Sequence, residues 1–120
     1  MLQKVNLSEK LALFSDLWSQ KLIGQVNDMS VKLVKLQGEY IWHHHEQEDE
    51  LFMVLHGRLC MKLRDGDVWI APGEFLIVPH GVEHCPVAPE ETHILLLEPA
   101  ATTRGGNVQD ERTEENVEVL

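Results

Sequence analysis

The chain has 120 residues, enough for one domain, and its 43% hydrophobic content is that of an ordinary globular protein. Its 20 acidic and 10 basic residues give a net charge of −10, which disfavours binding to nucleic acids and to anionic membranes. No apolar run approaches the roughly 20 residues that span a bilayer, and residues 1–10 lack the apolar core of a signal peptide, so we expect a cytoplasmic location.

A short helix is predicted near the N-terminus. Ser8 is the predicted N-cap of a helical turn over residues 9–14, because a serine hydroxyl accepts hydrogen bonds from the backbone amides of a first turn. Leu7, Leu11 and Phe14 fall on one side of this turn, so that side is expected to pack on the rest of the protein.

From Asp16 onward the sequence consists of short apolar segments separated by turn signals. Asp65-Gly66 predicts a tight hairpin, because glycine supplies the positive φ that such turns require. Many short strands with turns every 8 to 12 residues or so indicate an all-β sandwich or barrel. The predicted strands are Trp18–Val26, Val31–Gln37, Leu51–His56, Arg58–Leu63, Val68–Ile70, Phe75–Val78 and Thr92–Glu98.

Three of these segments are apolar on both faces: Phe52–Leu55, Phe75–Val78 and Ile94–Leu97. A single barrel would leave one face of each strand in water. We therefore expect either the N-terminal segment or a second subunit to cover the outer faces, and the pattern favours a homodimer.

The sequence predicts one domain over residues 1–103, with its barrel at about 16–99. Residues 104–120 form an acidic C-terminal tail with few large apolar residues, predicted to be solvated and flexible. As an alternative, Val117–Leu120 alternates apolar and polar residues and would pair as an added edge strand. The acids of this tail are Asp110, Glu111, Glu114, Glu115 and Glu118.

Two cysteines, Cys60 and Cys85, are too few for a disulfide scaffold. We predict that both are reduced and partly buried. Cys85 follows His84, but one cysteine beside one histidine is weak evidence for a nucleophile.

Histidines and carboxylates occur at spacings that suit one metal ion. On a strand, alternate side chains share a face, so His43 and His45 point together while His44 points away. Glu50 begins the next strand after an acidic turn, which can fold its carboxylate back over the two imidazoles. His84, on a later strand–turn unit, would complete a four-residue ligand set for iron, manganese, nickel, cobalt or zinc.

Other acids and histidines near these ligands have less specific roles. Asp49 is a reserve ligand in the turn, and His56 shares the parity of Glu50, so it would face the interior. No catalytic residue is indicated firmly; His80 is the candidate for a proton-transfer or supporting role. As an alternative, a flexible His-rich loop can chelate metal incidentally, but that would leave the spacing of His84 unexplained.

Two glycine-flanked motifs carry a family resemblance. The first, Gly38 to Gly57, has the spacing G-x4-H-x-H-x4-E-x6-G, and the second, Gly73 to His84, has the spacing G-x5-P-x-G-x2-H. Together they resemble the two motifs of the cupins, although the first is one residue short after its opening glycine. Ala88 also stands where the second motif usually ends in asparagine.

The chain is similar to uncharacterised bacterial monocupins, often loosely called mannose-6-phosphate-isomerase-like. The resemblance implies a double-stranded β-helix, or jelly roll, with a metal inside near one mouth, and commonly a homodimer. The departure at Ala88 leaves the metal ligands intact, because the asparagine of the motif is not normally a ligand.

We predict a small metalloenzyme, of dioxygenase or isomerase/lyase type, that acts on a small oxygenated metabolite. The alternative is a metal-bearing module that binds or senses a small ligand without turnover, and a third possibility is a purely structural metal. A phosphorylated sugar is a poor candidate, because the bases of the motif region, Arg58, Lys62 and Arg64, lie on or beside the hairpin.

Overall fold

The computed structural model describes residues 2–102, 105–108 and 117–120, and all statements below refer to these residues. It contains one short helix, α1, and strands β1 to β8. Helix α1 spans Leu7–Leu11, and the strands are β1 Lys21–Val26, β2 Met29–Glu39, β3 Glu50–His56, β4 Leu59–Leu63, β5 Gly66–Ile70, β6 Phe75–Val78, β7 His84–Pro99 and β8 Glu118–Val119. The predicted all-β class with a short N-terminal helix is confirmed. No helix among the described residues is long and apolar enough to cross a membrane.

Strand β7 is the long element that joins the two parts of the barrel. Its first residues pair antiparallel with β4, and its later residues pair antiparallel with both β2 and β3. β5 extends the sheet beside β4, β6 pairs with β3, and β1 pairs with β2. The strands thus curve around one interior as a double-stranded β-helix, as predicted.

Period-two alternation fills the interior of the barrel. Along β3, for example, Phe52 and Val54 are buried while Leu51, Met53 and Leu55 between them are half-buried on the outer face. The hairpin predicted at Asp65-Gly66 is present, with Leu63 paired to Gly66. The buried interior cluster consists of Val34, Leu36, Phe52, Val54, Leu59, Met61, Ile70, Val78, Ala88, Ile94 and Leu96.

The N-terminal segment covers part of the outer face, which confirms one of the two coverings predicted. Phe14 packs with Ile23 and Leu33 in a second buried cluster. The ammonium of Lys35 donates to the carbonyl oxygens of Leu11 and Phe14, at 2.8 and 2.6 Å, and so anchors the end of α1. These donors satisfy carbonyl groups that a helix end leaves without intrahelical partners.

Three details of the local prediction were wrong. Asn6, not Ser8, is the N-cap of α1, and its side chain accepts a hydrogen bond from the amide of Glu9. The last long strand begins at His84 rather than Thr92, because residues 84–88 find partners in β4 and β2. His56 is exposed rather than interior, because a register shift after Val54 changes the parity of the strand.

The described parts of the C-terminal region contact the barrel. β8 adds in parallel to β1, as the alternative prediction proposed, and Glu118 lies 2.9 Å from the buried ammonium of Lys21. Asn107 contacts the backbone of His44. Most of the predicted flexible tail lies outside the described residues, so its flexibility stays a prediction. The part outside includes Asp110, Glu111, Glu114 and Glu115.

Candidate metal centre

Three chain segments bring the predicted ligands together. His43 and His45 lie between β2 and β3, Glu50 is the first residue of β3, and His84 is the first residue of β7. An isolated bridge joins His43 to His84: each backbone amide donates to the carbonyl of the other, at 3.0 and 2.9 Å. Backbone pairing therefore fixes two ligands that are far apart in sequence.

The four side chains form one buried group. One potential ligand atom from each of His43, His45, Glu50 and His84 lies within 4.8 Å of the others. All four residues are between 1% and 4% exposed. Two ligands on opposite sides of one transition-metal ion, at roughly 2.0 to 2.2 Å each, are about 4.4 Å apart at most. A few tenths of an ångström of closure therefore suffices for a common ion.

Backbone carbonyls orient two of the imidazoles. The Nδ1 atoms of His43 and His84 lie 2.9 Å from the carbonyl oxygens of Ile41 and Val82, respectively. In a neutral imidazole Nδ1–H then donates to the carbonyl, and Nε2 keeps its lone pair. Metal-ligating histidines characteristically have such a partner on the second ring nitrogen.

Three of the inward-facing atoms are buried without a hydrogen bond. They are Nε2 of His45, Nε2 of His84 and Oε1 of Glu50. Both nitrogens approach Glu50 Oε1, at 2.9 and 3.3 Å, but the angles do not make hydrogen bonds. Buried polar atoms normally form hydrogen bonds. Three potential ligand atoms that lack hydrogen bonds and converge on one point therefore fit a bound cation.

The protonation states also suit a cation. Burial, together with the charge of the neighbouring His84, lowers the pKa of His43 from 6.5 to about 4, which keeps the imidazole neutral at pH 7. Burial opposes ionisation of Glu50, but contacts with His45, His84 and Glu98 outweigh burial and hold its pKa below the usual range. Deprotonated nitrogen and carboxylate ligands are the forms that bind metal.

A buried polar network behind Glu50 was not predicted. Glu98 is fully buried, and burial together with the charge of Glu50 raises its pKa well above the usual range, against the opposing effect of Lys32. The ammonium of Lys32, which is also buried, donates to Glu98 Oε1 and to Gln20 Oε1, each at 3.0 Å. Strand parity could have placed Glu98 in the barrel interior, because it shares a face with Leu96, but parity does not identify Lys32 as its partner.

Two cavities border the group. A small apolar cavity of about 30 Å³ reaches His43 and Glu50 from inside the barrel. A second, acidic cavity of about 170 Å³ reaches His45 from the opposite side, between Glu46, Gln47, Glu48, Gly106 and Asn107. The apolar cavity is lined by Trp18, Gln20, Val34, Leu36, Tyr40, His43, Glu50, Phe52, Pro86, Ile94 and Leu96.

The remaining candidates lie outside the four-residue group. His44 points away, as predicted, and its Nε2 contacts Glu46. Asp49 accepts hydrogen bonds from the backbone amide and Nδ1–H of His80, both at 2.9 Å, so it is engaged away from the other ligands. His80 itself is exposed and lines neither of the two cavities, so its proposed role stays a prediction. Cys85 is buried outside any disulfide, and its thiol lies 3.9 Å from Glu39 Oε1.

The lowered pKa of His43 predicts a pH-dependent stability of the metal-free protein. The unfolded chain takes up a proton at His43 below about pH 6.5, whereas the folded protein does so only near pH 4. The free energy of unfolding should therefore fall by about 2 kcal/mol from pH 7 to pH 4.5 on account of this residue. Urea unfolding in the presence of a chelator, at a series of pH values, measures this loss.

The His43→Asn variant should show a shallower pH dependence, and His44→Asn should follow the wild type, because His44 lies outside the buried group. Parallel curves for His43→Asn and the wild type would show that the imidazole does not have the lowered pKa.

Comparison with known proteins finds a protein family that the chain matches. The model of the family described as "Cupin domain" matches residues 32–98. Uncharacterized protein YdbB of Bacillus subtilis is 41% identical over 63 residues, which are 52% of this chain and 56% of that protein. The match thus spans a little over half the length of this curated relative.

Solved structures share both fold and sequence with the chain. A cupin-2 domain containing protein from Shewanella frigidimarina is 42% identical, with a TM-score of 0.78 over 79% of this chain and 93% of that one. Protein NMB1881 from Neisseria meningitidis is 30% identical, with a TM-score of 0.74 over 81% of this chain and 99% of that one.

Proposed function

The chain belongs to the cupin domain family, and on this premise we propose that it binds one divalent transition metal through His43, His45, Glu50 and His84. We further propose that it is a small metalloenzyme, of dioxygenase or isomerase/lyase type, acting on a small oxygenated metabolite. The observation that supports this most strongly is the convergence of orphaned ligand atoms in one buried group.

The donor set restricts the metal. Three imidazoles and one carboxylate offer nitrogen and oxygen atoms and no thiolate, which suits iron, manganese, cobalt, nickel or zinc. The group also borders a cavity at His43 and Glu50. Structural sites are usually closed on all sides, so access from a cavity favours a functional site over a structural one.

The side chains around the group prepare it for a ligand. A bound ion supplies Lewis acidity and, if it is iron or nickel, the capacity for oxygen chemistry. The carbonyls of Ile41 and Val82 hold His43 and His84 in orientation. The apolar walls, which include Phe52 and Leu96, exclude water and so strengthen electrostatic interactions at the site.

One observation favours the alternative, a module that binds or senses a small ligand without turnover. Apart from the ligands His43 and Glu50, the residues that line the apolar cavity include no histidine or acidic side chain. A reaction that needs a separate general acid or base would therefore depend on the phenol of Tyr40 or on a group outside the cavity, such as His80.

The test begins with metal content, measured by plasma mass spectrometry on protein purified without nickel affinity. About one equivalent per chain is expected from the four-residue group. Protein that holds no metal, even after reconstitution, would contradict the proposal. Metal-loaded protein is then assayed with hydroxy acids, catechols and keto sugars, with and without oxygen. Turnover supports an enzyme, and ligand binding without turnover supports the binding module.

The proposal includes a homodimer, for which the outer face of β6 is the candidate contact. Phe75 and Ile77 are 58% and 52% exposed there, and they pair with Met53 and Leu51 of β3 in one apolar patch. Phe75→Glu should weaken dimerisation by about 100-fold or more, because an unpaired charge would be buried at the contact.

Light scattering during size-exclusion chromatography measures the oligomeric state. The wild type should show twice the 13.7 kDa chain mass and Phe75→Glu a lower mass. Val26→Glu is the matched control, because Val26 is equally exposed at the end of β1. A wild type that stays monomeric at high concentration would refute the dimer.

We also propose a cytoplasmic location, which Cys60 and Cys85 support because neither forms a disulfide and reduced thiols persist in reducing compartments. A phosphorylated sugar remains a poor candidate for the substrate. Among the described residues, no lysine or arginine lines either of the two cavities that border the ligand group, whereas a phosphate ester needs a basic or backbone cradle.

A further inference from the structure

A line of aromatic rings connects the candidate metal centre to the mouth of the apolar cavity. The rings of Trp18 and Tyr40 are stacked, with centroids 4.9 Å apart and planes 17° apart. Tyr40 in turn contacts the imidazole of His43 edge to face, at 5.4 Å. Because all three residues line the apolar cavity, a ligand bound beside His43 would contact aromatic as well as aliphatic side chains.

Trp18 occupies the mouth of this cavity. Among the eleven residues that line it, Trp18 alone is not buried. The enclosed space of about 30 Å³ holds one or two small groups, since one water needs roughly 10 to 15 Å³. Only the head of a ligand can enter without rearrangement, so the rest of the ligand must lie at the mouth, against Trp18.

The backbone of Trp18 is strained to hold this position. Its φ is +64°, which a bulky side chain rarely adopts. The residue is fixed by a backbone hydrogen bond to Lys35, at 2.8 Å, and by donation from its indole nitrogen to the carbonyl of Gln37, at 3.1 Å. Strain that the surrounding structure maintains is found most often at functional positions.

The chemistry of the lining restricts the ligand further. Beyond the metal ligands His43 and Glu50, its polar side chains are the amide of Gln20 and the ring groups of Trp18 and Tyr40. A charged group on the part of the ligand that contacts these residues would lose hydration without gaining an ionic partner among them. Flat, unsaturated surface, by contrast, gains stacking contacts with the rings.

We infer that the site takes small compounds with a flat, uncharged, aromatic or otherwise unsaturated body and a small head that carries oxygen ligand atoms, and that Trp18 and Tyr40 determine this specificity. The inference rests on the proposed function, because the metal centre receives the head. It adds the substrate class, which the four metal ligands by themselves leave open.

Three probes with the same α-hydroxycarboxylate head test the inference: lactate, mandelate and 3-phosphoglycerate. They carry a methyl, a phenyl and a phosphorylated body, respectively. Binding to cobalt-loaded protein is measured by calorimetry, and metal content is measured separately on each sample. Mandelate should bind about tenfold more tightly than lactate, and 3-phosphoglycerate should bind most weakly.

The variants Trp18→Ala and Trp18→Gly should reduce the preference for mandelate over lactate to about twofold while metal content stays at the wild-type value. Trp18→Gly also relieves the strained φ, so it keeps the test valid if Trp18→Ala folds poorly. Trp69→Ala is the matched control, because Trp69 is exposed on β5 and lines neither cavity.

The outcomes separate the two proposals. Metal-loaded protein that binds the three probes equally, or that keeps its preference for mandelate without Trp18, would overturn the inference and leave the metal centre standing. Wild-type protein that takes up no cobalt would overturn the proposed function and, with it, the inference.

Discussion

Replacing His84 with alanine should remove bound metal from the protein. Loss of a residue that only supports a metal ligand typically lowers metal affinity about 10- to 100-fold, so loss of a direct ligand should exceed 100-fold. His84 is also 1% exposed and bonded through its backbone to His43, so neither water nor a neighbouring side chain readily takes its place. Competition with a chromophoric chelator measures the change in affinity.

Two further variants show whether the loss of metal is specific to the proposed ligands. Glu50→Gln keeps the volume of the side chain and removes its charge, so it should also lose metal. His44→Ala should retain one equivalent, because His44 faces away from the ligands and contacts Glu46. Metal should raise the melting temperature of the wild type and of His44→Ala but not of His84→Ala. Full retention of metal by His84→Ala would exclude the proposed ligand set.

The second large effect is expected from Glu98→Ala, which should lower the free energy of unfolding by about 3 to 5 kcal/mol. The ammonium of Lys32 is 3% exposed, and the substitution removes its carboxyl partner at 3.0 Å. A buried ammonium that loses a hydrogen-bond acceptor is destabilised because the protein interior solvates its charge poorly. Urea unfolding of chelator-treated protein measures this loss apart from any effect on metal binding.

Glu98→Gln is the matched control for that substitution. Burial and the charge of Glu50 raise the pKa of Glu98 well above the usual range and so favour its protonated carboxyl form. A glutamine amide can likewise accept from Lys32 and donate toward Glu50, so Glu98→Gln should lose only about 1 kcal/mol. The double variant Lys32→Met, Glu98→Leu should be more stable than Glu98→Ala, because it leaves no buried charge without a partner. Equal losses in Glu98→Gln and Glu98→Ala would show that Glu98 acts as a charged group.

Much of the candidate metal centre was predictable because strand geometry is local. The two-residue spacing of His43 and His45 places both imidazoles on one face in any strand-like segment. The position of Glu50 at the start of the next strand was predicted in the same way. Glycines and a proline at fixed distances marked the turn before His84. The cupin resemblance then joined these local signals into one group, and the structure places the four side chains together.

Other features were decided by register between distant strands. A shift in the pairing of β3 with β7 moves His56 to the surface, although its spacing from Glu50 predicted the interior. The buried carboxyl partner of Glu50 is Glu98, which lies 48 residues away in the sequence and becomes its neighbour only when β7 pairs with β3. Local sequence does not encode which residue will lie across a barrel.

The sequence by itself therefore determined the fold class, most of the strands and the four candidate ligands, because each depends on alternation and turn chemistry within a few residues. Only the tertiary structure decided how the group is surrounded. The left-handed backbone of Trp18 at the cavity mouth, the buried pair of Lys32 and Glu98, and the contact of Asn107 with His44 all arise from packing between distant segments. Such packing depends on the closure of the whole barrel, which fixes register and solvent exclusion together.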